Sequence, residues 1–599
     1  MLFGWLAQTT TDEFTEPSRP GMYTGSDDMV RGEHCGCIAT PGHAVWDGLL
    51  CAIFGLPLWK SPALAELARA RGPAAALLEA YRQWGDEVLV ELGGGYALAV
   101  VDPSRRRVFL AVDRIGQRHL YYAPAADGLL FGTRADRIAQ HPAVGDDIDP
   151  QAVFDYVYFH HCPSPGSIYR RVRKLEGGQC LVFEQGRVTL RRHWLPTFHA
   201  CPEVRCETLA EELRESLFSA VNQLAGEHTG AFLSGGLDSS TIAGVLARCR
   251  PGDAPTFTIG FPVEGYDEIR YARIAAEHFH TRRHEYYLGP DDAVAAIPKI
   301  AAFYDEPFGN SSALPTYFCA KLAKEQGMTL LLGGDGGDEL FGGNERYAKQ
   351  LLFEPYRRVP LWLSGNLDGL LQRLPLAMAG RFPCNKLRRY IEQAKVALPD
   401  RLQDYNFLHR TAPEEVFAAD FLTAVDAGLP LVAQRECYAL PQGAGALDRM
   451  LYLDWKITLH DNDLVKVNRM CELAGIRVAY PMLDEAVVEL ACRVPPGWKI
   501  RHGRLRWFYK QAMLGFLPDA ILEKSKHGFG LPFGFWLREH ISLRELAYDS
   551  VTGLKQRPWF RPEFLDRAIA MHRSGHTAYY GELIWILMML ELWFEVHHV

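Results

Sequence analysis

The residues most suited to chemistry lie in the segment 234–240, which reads SGGLDSS and is called the first loop below. An apolar run at 231–233 precedes it and a helical pattern at 241–249 follows, so it is predicted to join a strand to a helix. Its glycines let backbone N–H groups approach a ligand, its serines add hydroxyl donors, and the helix N-terminus carries partial positive charge. These features predict a pyrophosphate site. Asp238 would repel that anion unless a divalent cation lay between them, so Mg²⁺ is also implied.

A second glycine-rich segment, 333–339, carries the carboxylates Asp335 and Asp338 and is called the second loop. It directly follows an apolar run, which favours a place at the end of a buried strand over a solvated turn. Strands are predicted at 231–233, 255–261, 284–288 and 329–332, and helices at 208–224, 267–279, 290–304 and 317–326. This alternation is typical of a doubly wound parallel sheet, in which ligands bind beyond the carboxyl ends of the strands. The two loops are therefore predicted to meet.

The first 195 residues have a different pattern, in which short apolar runs alternate with turns. Antiparallel strands are predicted at 50–56, 95–101, 107–112, 129–132 and 179–183, and one clear helix at 62–85. Past residue 343 the periodicity is helical to the C-terminus. The chain is thus predicted to consist of an α+β domain at 1–195 and an α/β domain with a helical C-terminal part at 205–599. A chain of 599 residues is too long for a single hydrophobic core, which agrees with this division.

The first loop resembles the PP-motif of ATP pyrophosphatases, which split ATP into AMP and pyrophosphate while they adenylate a substrate. An isolated S-G-G-x-x-S string would also suit a plain turn before a helix, but the full string is more specific. It lacks the G-K-[ST] ending of a Walker loop, which makes ordinary phosphoryl transfer the weaker interpretation. The resemblance implies ATP and Mg²⁺ as cofactors, with nucleotide contacts from Leu233, Ser234, Gly235, Gly236, Asp238, Ser239, Ser240, Ile259, Gly260 and Gly334.

The N-terminal part resembles the glutaminase half of asparagine synthetase B, and the resemblance continues to the end of the chain. It is carried by LGGGYAL at 92–98, DRIG at 113–116, LYY at 120–122 and KLEGG at 174–178. It implies a degenerate Ntn-hydrolase-like sandwich followed by a PP-loop synthetase domain. By the same resemblance, Asp338 would join Asp238 in holding Mg²⁺ on pyrophosphate. Asp335 takes the place of the substrate-facing acid, which is usually glutamate in the family.

The glutaminase nucleophile of that family is not recognisable. In the family it is a cysteine exposed when the initiator methionine is removed, whereas this chain has Leu2, which cannot attack a carboxamide. The family's Arg-Gly-Pro-Asp loop is missing too. Cys35 faintly echoes the family's Cys-Gly-Ile-Ala start, but a cut there would leave too few residues for the expected strands. Cys35 and Cys37 are therefore predicted to be ordinary strand residues, and we expect no glutaminase activity.

Residues 461–469 followed by 480–484 resemble the synthetase segment that lines the acceptor pocket. They depart from it at His460, Arg477 and Ala479, where proline, glutamate and arginine are usual. We treat His460 as a candidate base that keeps an incoming amine neutral.

A last similar stretch comprises GRLRWFYK at 503–510 and KHGFGLP at 526–532. The family's lysine and arginine, one helical turn apart, are exchanged here as Arg506 and Lys510. Both are candidate catalytic cations on one helix face, and an exposed salt-bridging face is the alternative. Guanidinium and ammonium differ in geometry and in the ability to lose a proton, so the family's contacts do not transfer directly.

Composition argues against several classes of protein. The chain has 48% hydrophobic and 23% charged residues and a net charge of −8, which gives no electrostatic reason to expect a nucleic-acid partner. Its 13 cysteines are scattered, without the spacing of a zinc site or the density of a disulfide scaffold, so a reducing cytoplasm fits best. The most apolar stretches are short and carry acidic residues, so no membrane span is expected.

These parts predict an ATP-dependent amide ligase. A carboxylate, on a peptide or a small molecule, would attack the α-phosphorus of ATP, and an amine would then capture the acyl-adenylate. Without a glutaminase, the amine would be carried by the substrate, as in lasso-peptide macrolactam cyclases and β-lactam synthetases. We favour the lasso cyclase, with a precursor peptide and a protease as partners. Asparagine synthesis from ammonia or glutamine, a β-lactam synthetase-like activity and a silent nucleotide-binding scaffold stay open, and the oligomeric state is not indicated.

Overall fold

The computed structural model describes residues 1–7, 29–32, 35–39, 42–125, 128–357, 384–524 and 530–598. Residues 526–529 of the KHGFGLP segment lie outside these ranges. Within them, the N-terminal part forms two six-stranded antiparallel sheets and the C-terminal part forms one five-stranded parallel sheet. The predicted order, an α+β part followed by an α/β part with a helical C-terminus, is confirmed.

The first antiparallel sheet is built around the strand Leu2–Ala7. Its strands lie in the order Arg173–Lys174, Tyr121–Ala125, Gly128–Gly132, Leu2–Ala7, Cys35–Ala39 and Met29–Gly32. Alternate side chains of a strand point to opposite faces. Accordingly Leu2 and Leu6 pack into the core between the two sheets, whereas Phe3 and Trp5 pack into the core shared with the C-terminal part.

The second antiparallel sheet carries helices on its outer face. Its strands lie in the order Arg187–Arg192, Gln179–Glu184, Arg107–Val112, Leu92–Asp102, Leu49–Trp59 and His43–Trp46. The helices Pro62–Arg71 and Pro73–Trp84 pack against it, followed by the 3₁₀ helix Gly85–Glu91. The prediction of one helix at 62–85 was wrong, because Gly72 has a φ of 89° that ends the first helix and Pro73 begins the next.

The parallel sheet has the strand order Arg282–Tyr287, Pro255–Gly260, Thr229–Phe232, Leu330–Leu332 and Arg477–Ala479. The helices packed around it are Cys206–Asn222, Leu237–Cys249, Ile269–Phe279, Pro290–Phe303 and Ala313–Glu325. Four strands and all five helices agree with the predictions to within a few residues. The strand Arg477–Ala479 was not predicted, because three residues give too little periodicity and their partner is remote in sequence.

The remaining described residues are mostly helical. Smaller helices of the N-terminal part are Ala135–Ala139 and Pro150–Phe159. After the strand Leu330–Leu332 come Gly337–Phe341, Glu345–Leu351, Glu354–Arg357, Cys384–Lys395, Asp400–Tyr405, Phe407–Arg410, Pro413–Val416, Ala419–Thr423, Leu429–Ala439, Ala446–Asp454, Trp455–Asp463, Leu464–Ala474, Pro481–Leu483, Glu485–Arg493, Pro496–Lys499, Trp507–Ala512, Asp519–Glu523, Phe533–Glu539, Ile541–Gly553, Leu554–Gln556, Pro562–Ser574 and Thr577–His597. The segment Trp455–Asp463 is a π-helix that joins its two neighbours into one continuous helical stretch.

The final helix, Thr577–His597, is apolar and lies inside the protein. Its side chains Trp585 and Trp593 are fully buried. Among the described helices, none combines the length and the hydropathy needed to cross a membrane.

Buried polar contacts hold the two parts of the chain together. Arg469 lies 2.8 Å from Asp305 and donates to the carbonyl of Thr133 at 2.9 Å. Lys174 lies 2.7 Å from Glu306. Each of these buried charges is paired, so none bears the desolvation cost of an isolated ion. The pairs fix the helix that contains Arg469 against the N-terminal sheets.

Candidate active site

The first loop lies between the strand Thr229–Phe232 and the helix Leu237–Cys249, as predicted. The hydroxyl of Ser239 lies 2.9 Å from the hydroxyl of Ser234 and accepts a hydrogen bond from the Ser234 backbone N–H at 3.2 Å. The Ser234 hydroxyl accepts from the N–H of Gly236 at 3.3 Å. These bonds order the loop at a helix N-terminus, where partial positive charge favours an anion.

The two loops touch each other through glycines. A Cβ atom at Gly334 would lie 2.7 Å from the backbone nitrogen of Ser239, which is closer than side chains tolerate. Gly337 faces the carboxylate of Asp238 with no room for a Cβ atom. Only glycine allows such an approach of two backbones. The prediction that the loops meet is confirmed.

Arg506 connects the carboxylates of the two loops. Its Nη1 lies 2.6 Å from Oδ1 and 2.7 Å from Oδ2 of Asp238, and its Nη2 contacts Asp338. Arg506 has a left-handed φ of 51° and precedes the helix Trp507–Ala512. The prediction that Arg506 and Lys510 lie on one helix face was therefore wrong, because the left-handed residue lies outside the helix.

Asp335 in the second loop is largely enclosed by protein and lies near a lysine. Burial raises the pKa of Asp335 to about 6, against the opposing effect of Lys466. Lys466 Nζ lies 2.7 Å from Oδ1 of Asp463. Burial alone would lower the pKa of Lys466, but the charges of Asp463 and Asp335 outweigh it and the pKa is raised. At neutral pH the charged ammonium group of Lys466 therefore lies near the ionised carboxylate of Asp335.

A cavity of about 330 Å³ lies between the two loops. Of the residues predicted to bind nucleotide, metal or substrate, those that line it are Leu233, Ser234, Gly236, Asp238, Ser239, Ile259, Gly334, Asp335 and Asp338. Backbone N–H groups, hydroxyls and carboxylates thus converge on one concave space, which is the arrangement expected of a nucleotide site.

Other predicted residues lie behind this cavity. Gly235 has a φ of 71° and packs closely against the helix Ile269–Phe279, while the side chain of Ser240 is fully buried. Gly260 faces the ring of Tyr287. Their contribution to nucleotide binding stays a prediction.

Lys510 does not line the cavity either. It is half-buried, and its pKa is lowered by burial and by the charge of Arg506. The described residues show no side-chain hydrogen bond or ion pair from Lys510 that would assign it a role, so its catalytic role stays a prediction.

His460 lies in a different environment from the one expected of a base at the nucleotide site. It is buried on the π-helix, and its Nδ1 lies 2.7 Å from the carbonyl oxygen of Gly116. Burial lowers the pKa of His460, against the charge of Asp461. Both residues line a second cavity, of about 820 Å³, between the N-terminal and C-terminal parts. We therefore correct the sequence interpretation: His460 does not line the cavity between the two loops, where it was expected to keep an incoming amine neutral.

Asp463, Lys466 and Val467 line the cavity and belong to the segment 461–469, which was expected to line the acceptor pocket. Several lining residues were not named individually as candidates from the sequence. They are Phe232, Pro315, Thr316, Cys319, Gly336, Gly337, Glu339, Asp463, Lys466 and Val467. Asp463 and Lys466 had a usable signal, because an acid and a base three residues apart on a helix lie on one face. The residues of the helix Ala313–Glu325 that line the cavity gave no signal in the sequence, since they are apolar or small.

Asp238 and Asp338 are the residues that would hold a divalent cation. Both are carboxylates, which are ligands that Mg²⁺ prefers, and they already share one cationic partner, the guanidinium of Arg506. The donor set therefore fits the ion implied by the sequence.

Two of the N-terminal family segments meet at a small cavity, while Arg114, Ile115, Glu176 and Gly177 of the family segments line the cavity of about 820 Å³. The residues 92–96 and 113–117 meet around about 10 Å³, which holds about one water molecule. Asp113, within this region, accepts hydrogen bonds from the N–H groups of Tyr96 at 3.1 Å and Gly116 at 2.9 Å, so it serves the backbone. Burial raises its pKa to about 6, although these hydrogen bonds lower it.

The strand Leu2–Ala7, with the sequence LFGWLA, carries no nucleophilic side chain. Leu2 is fully buried, and its N–H donates to the hydroxyl of Thr133 at 3.1 Å. Cys35 and Cys37 lie in the neighbouring strand Cys35–Ala39, as predicted.

Comparison with known proteins agrees with this division. A family model described as asparagine synthase matches residues 212–595, and one described as a glutamine amidotransferase domain matches residues 63–194. One similar protein, from Mycobacterium tuberculosis, is provisionally named a glutamine-hydrolysing asparagine synthetase. It is 29% identical to this chain over 550 residues, which cover 88% of this chain and 80% of the relative. The glutamine-hydrolysing asparagine synthetase 1 of Bacillus subtilis is 26% identical over 534 residues, covering 87% and 80%.

Proposed function

This chain belongs to the asparagine synthase family and is an ATP-dependent, AMP-forming carbon–nitrogen ligase, and we propose that it closes a macrolactam ring within a peptide, as lasso-peptide cyclases do. The proposal has two parts. A side-chain carboxylate of the peptide is adenylated between the two loops. The α-amine of the same peptide then captures the acyl-adenylate, so no ammonia is needed.

The observation that carries the proposal is the contrast between the two halves of the chain. The cavity of about 330 Å³ between the two loops, called the nucleotide cavity, is lined by glycines, serine hydroxyls and carboxylates of those loops. The described strand Leu2–Ala7 instead offers no nucleophilic side chain with which the N-terminal part could attack glutamine. A ligase that retains adenylation without a source of ammonia is best supplied with an amine by its own substrate.

The residues of the nucleotide cavity have separate tasks in the proposed reaction. The N–H groups and hydroxyls of the first loop bind the phosphates. Asp238 and Asp338 would hold Mg²⁺, which would supply positive charge to balance that of departing pyrophosphate. Arg506, which contacts both carboxylates, would stabilise the negative charge that develops on pyrophosphate.

The acceptor side of the cavity supports binding of a zwitterionic partner. Lys466 offers an ammonium group to a substrate carboxylate, while Asp335 and Asp463 offer carboxylates to an amine. A peptide that presents both groups would satisfy all three residues. Holding them together makes ring closure intramolecular, which replaces a diffusional encounter with fixed proximity.

The cavity of about 820 Å³ supports a substrate larger than a free amino acid. His460 and Asp461 of the π-helix line it, and Asp463 and Lys466, further along the same helical stretch, line the nucleotide cavity. The rest of a bound peptide has space on the far side of this helix.

The experiment that tests the proposal compares two sets of substrates under identical conditions. Purified protein with ATP and Mg²⁺ receives either a candidate precursor peptide with a free N-terminus or aspartate with ammonia. We expect AMP formation and a peptide that has lost one water by mass spectrometry, and little asparagine. The Asp338→Asn variant serves as the inactive control. Ready formation of asparagine without dehydrated peptide would replace the cyclase with an ammonia-dependent asparagine synthetase.

A further inference from the structure

Two histidines and an aspartate from different parts of the chain meet beneath the larger cavity. His119 follows the strand Arg107–Val112 in the N-terminal part, whereas His460 and Asp461 lie on the π-helix. One nitrogen or oxygen atom from each of the three side chains lies within 4.8 Å of those from the other two. The rings of His119 and His460 have centroids 4.4 Å apart and meet edge to face. No other such group of three histidine, cysteine or acidic side chains occurs in the described ranges.

The imidazole atoms of this group have the form that a metal ion needs. The carbonyl of Gly116 can only accept a hydrogen bond, so His460 Nδ1, 2.7 Å away, carries the proton of the neutral ring. The lone pair is therefore on Nε2, which is buried and has no hydrogen-bond partner among the described residues. Nε2 of His119 is buried and unpartnered in the same way. A backbone carbonyl behind a ligating histidine is the usual support for a bound metal.

The carboxylate of Asp461 is oriented toward the same point. Its Oδ1 lies 3.6 Å from Nε2 of His460 and accepts a hydrogen bond from the hydroxyl of Ser164 at 2.7 Å, which leaves one lone pair of that oxygen available. Its Oδ2 lies 3.0 Å from Nζ of Lys456. Lys456 also lies 3.2 Å from Glu176, so its positive charge is shared by two carboxylates.

We infer that His119, His460 and Asp461 form a binding site for one divalent transition-metal ion, of which Zn²⁺ fits best. Two imidazole nitrogens and one carboxylate oxygen are ligands of Zn²⁺, whereas Mg²⁺ and Ca²⁺ prefer oxygen ligands alone. Three protein ligands leave a fourth position for water. His460 and Asp461 line the cavity of about 820 Å³, which provides the route by which an ion enters.

The π-helix explains how two consecutive residues contribute to one site. Neighbouring side chains lie about 100° apart around an α-helix and closer together in a π-helix, which has more residues per turn. The wider turn lets His460 and Asp461 approach the same point. The same helical stretch continues to Lys466 in the nucleotide cavity. A metal held by His119 therefore fixes the acceptor side of the nucleotide site to the N-terminal part.

The test is metal binding by the purified full chain. The protein is stripped with a chelator, dialysed against a low concentration of Zn²⁺ in excess Mg²⁺, and analysed by atomic emission. We expect about one Zn²⁺ per chain, and with Co²⁺ a visible absorption band of a low-coordinate nitrogen and oxygen site. The variants His119→Gln and His460→Gln should each lower the affinity by about tenfold or more. His193→Gln is the matched control, because that ring lies in the N-terminal part and bonds to Val112 instead.

The wild-type titration protects the test against misfolding of a variant. Zn²⁺ should raise the melting temperature of wild type and of His193→Gln, and leave that of His119→Gln unchanged. Wild-type protein that retains no Zn²⁺ or Co²⁺ overturns the inference. Equal binding by wild type and a folded His119→Gln variant overturns it as well.

Discussion

Arg506 and Asp238 form an ion pair in which Nη1 of the guanidinium lies 2.6 Å from Oδ1 and 2.7 Å from Oδ2 of the carboxylate. The other terminal nitrogen of Arg506 contacts Asp338. A planar guanidinium serves two acceptors in this way, whereas an ammonium group is a single point charge. The arginine thus takes the position between the two carboxylates that a divalent ion would also occupy. Arg506 and the ion are therefore expected to compete until bound phosphates offer the arginine another partner.

The first prediction is that Arg506→Gln binds divalent ions more tightly in the absence of ATP. Glutamine has no charge to place between Asp238 and Asp338, so an ion replaces the lost positive charge at lower cost. Titration of nucleotide-free protein with Mn²⁺, followed by electron paramagnetic resonance, should show severalfold tighter binding. ATP–pyrophosphate exchange should nevertheless fall. Arg506→Lys should behave between the two, and Mn²⁺ binding unchanged by either substitution would mean that Arg506 does not compete.

The second prediction concerns the carboxylates themselves. Asp238→Asn and Asp338→Asn should each lower ATP–pyrophosphate exchange by about two orders of magnitude or more, because each removes a hard oxygen ligand from the proposed Mg²⁺. Circular dichroism should show an unchanged fold. Asp253→Asn is the control, since Asp253 is an exposed carboxylate of the same domain that pairs with Arg250. Near-normal exchange in either test variant would remove that residue from the metal site.

A third prediction follows from the raised pKa of Asp335, which is about 6 in the folded protein against 3.8 ordinarily. The folded chain then binds more protons than the unfolded chain between about pH 4 and 6, so its free energy of unfolding falls as the pH rises through that range. Asp335→Asn stays neutral and should be more stable than the parent at pH 8, by up to about 3 kcal/mol, although it loses activity.

Urea unfolding at pH 5 and pH 8 measures this effect. The difference between the parent and Asp335→Asn should be larger at pH 8 than at pH 5. An equal difference at both values would show that Asp335 does not titrate in that range. Asp253→Asn, at the surface, again serves as the comparison.

A fourth prediction is that the protein releases no glutamate from glutamine, and that Leu2→Cys does not change this. Leu2 is fully buried and its N–H donates to the hydroxyl of Thr133, so a thiol at this position would not be exposed to glutamine. The glutamine-hydrolysing synthetase 1 of Bacillus subtilis is the positive control. Substantial hydrolysis that is abolished by Cys35→Ala or Cys37→Ala would instead indicate a nucleophile in that strand.

The nucleotide site was largely predictable because its residues are close in sequence. Consecutive residues form the strand, the first loop and the helix. The glycines and serines of the loop indicate a turn and the start of a helix from the sequence alone. The meeting of the two loops followed from the general geometry of parallel sheets. Within the N-terminal part, period-two alternation located five of the twelve described strands.

Contacts between remote residues were not predictable. The π-helix at 455–463 removes His460 from the nucleotide cavity, and no periodicity in the sequence signals the change from an α-helix. The left-handed backbone conformation of Arg506 could not be predicted from the sequence either, because arginine rarely adopts it and packing imposes it. The 10 Å³ cavity depends on Glu485 from the C-terminal part, which packs against Gly93.

The last prediction separates the two steps of the proposed reaction. Acetylation of the N-terminus of the precursor peptide removes the nucleophile but leaves the side-chain carboxylate that is adenylated. The blocked peptide should therefore still support ATP–pyrophosphate exchange, while mass spectrometry detects no peptide that has lost one water. The free peptide should give both exchange and ring closure, because its amine is held beside the acyl-adenylate at a high effective concentration. Replacing the acceptor Asp or Glu of the peptide by Asn or Gln provides the complementary control and should abolish exchange as well. If the acetylated peptide still lost one water with AMP formation, the amine would have another source, and the α-amine could not be the group that closes the ring.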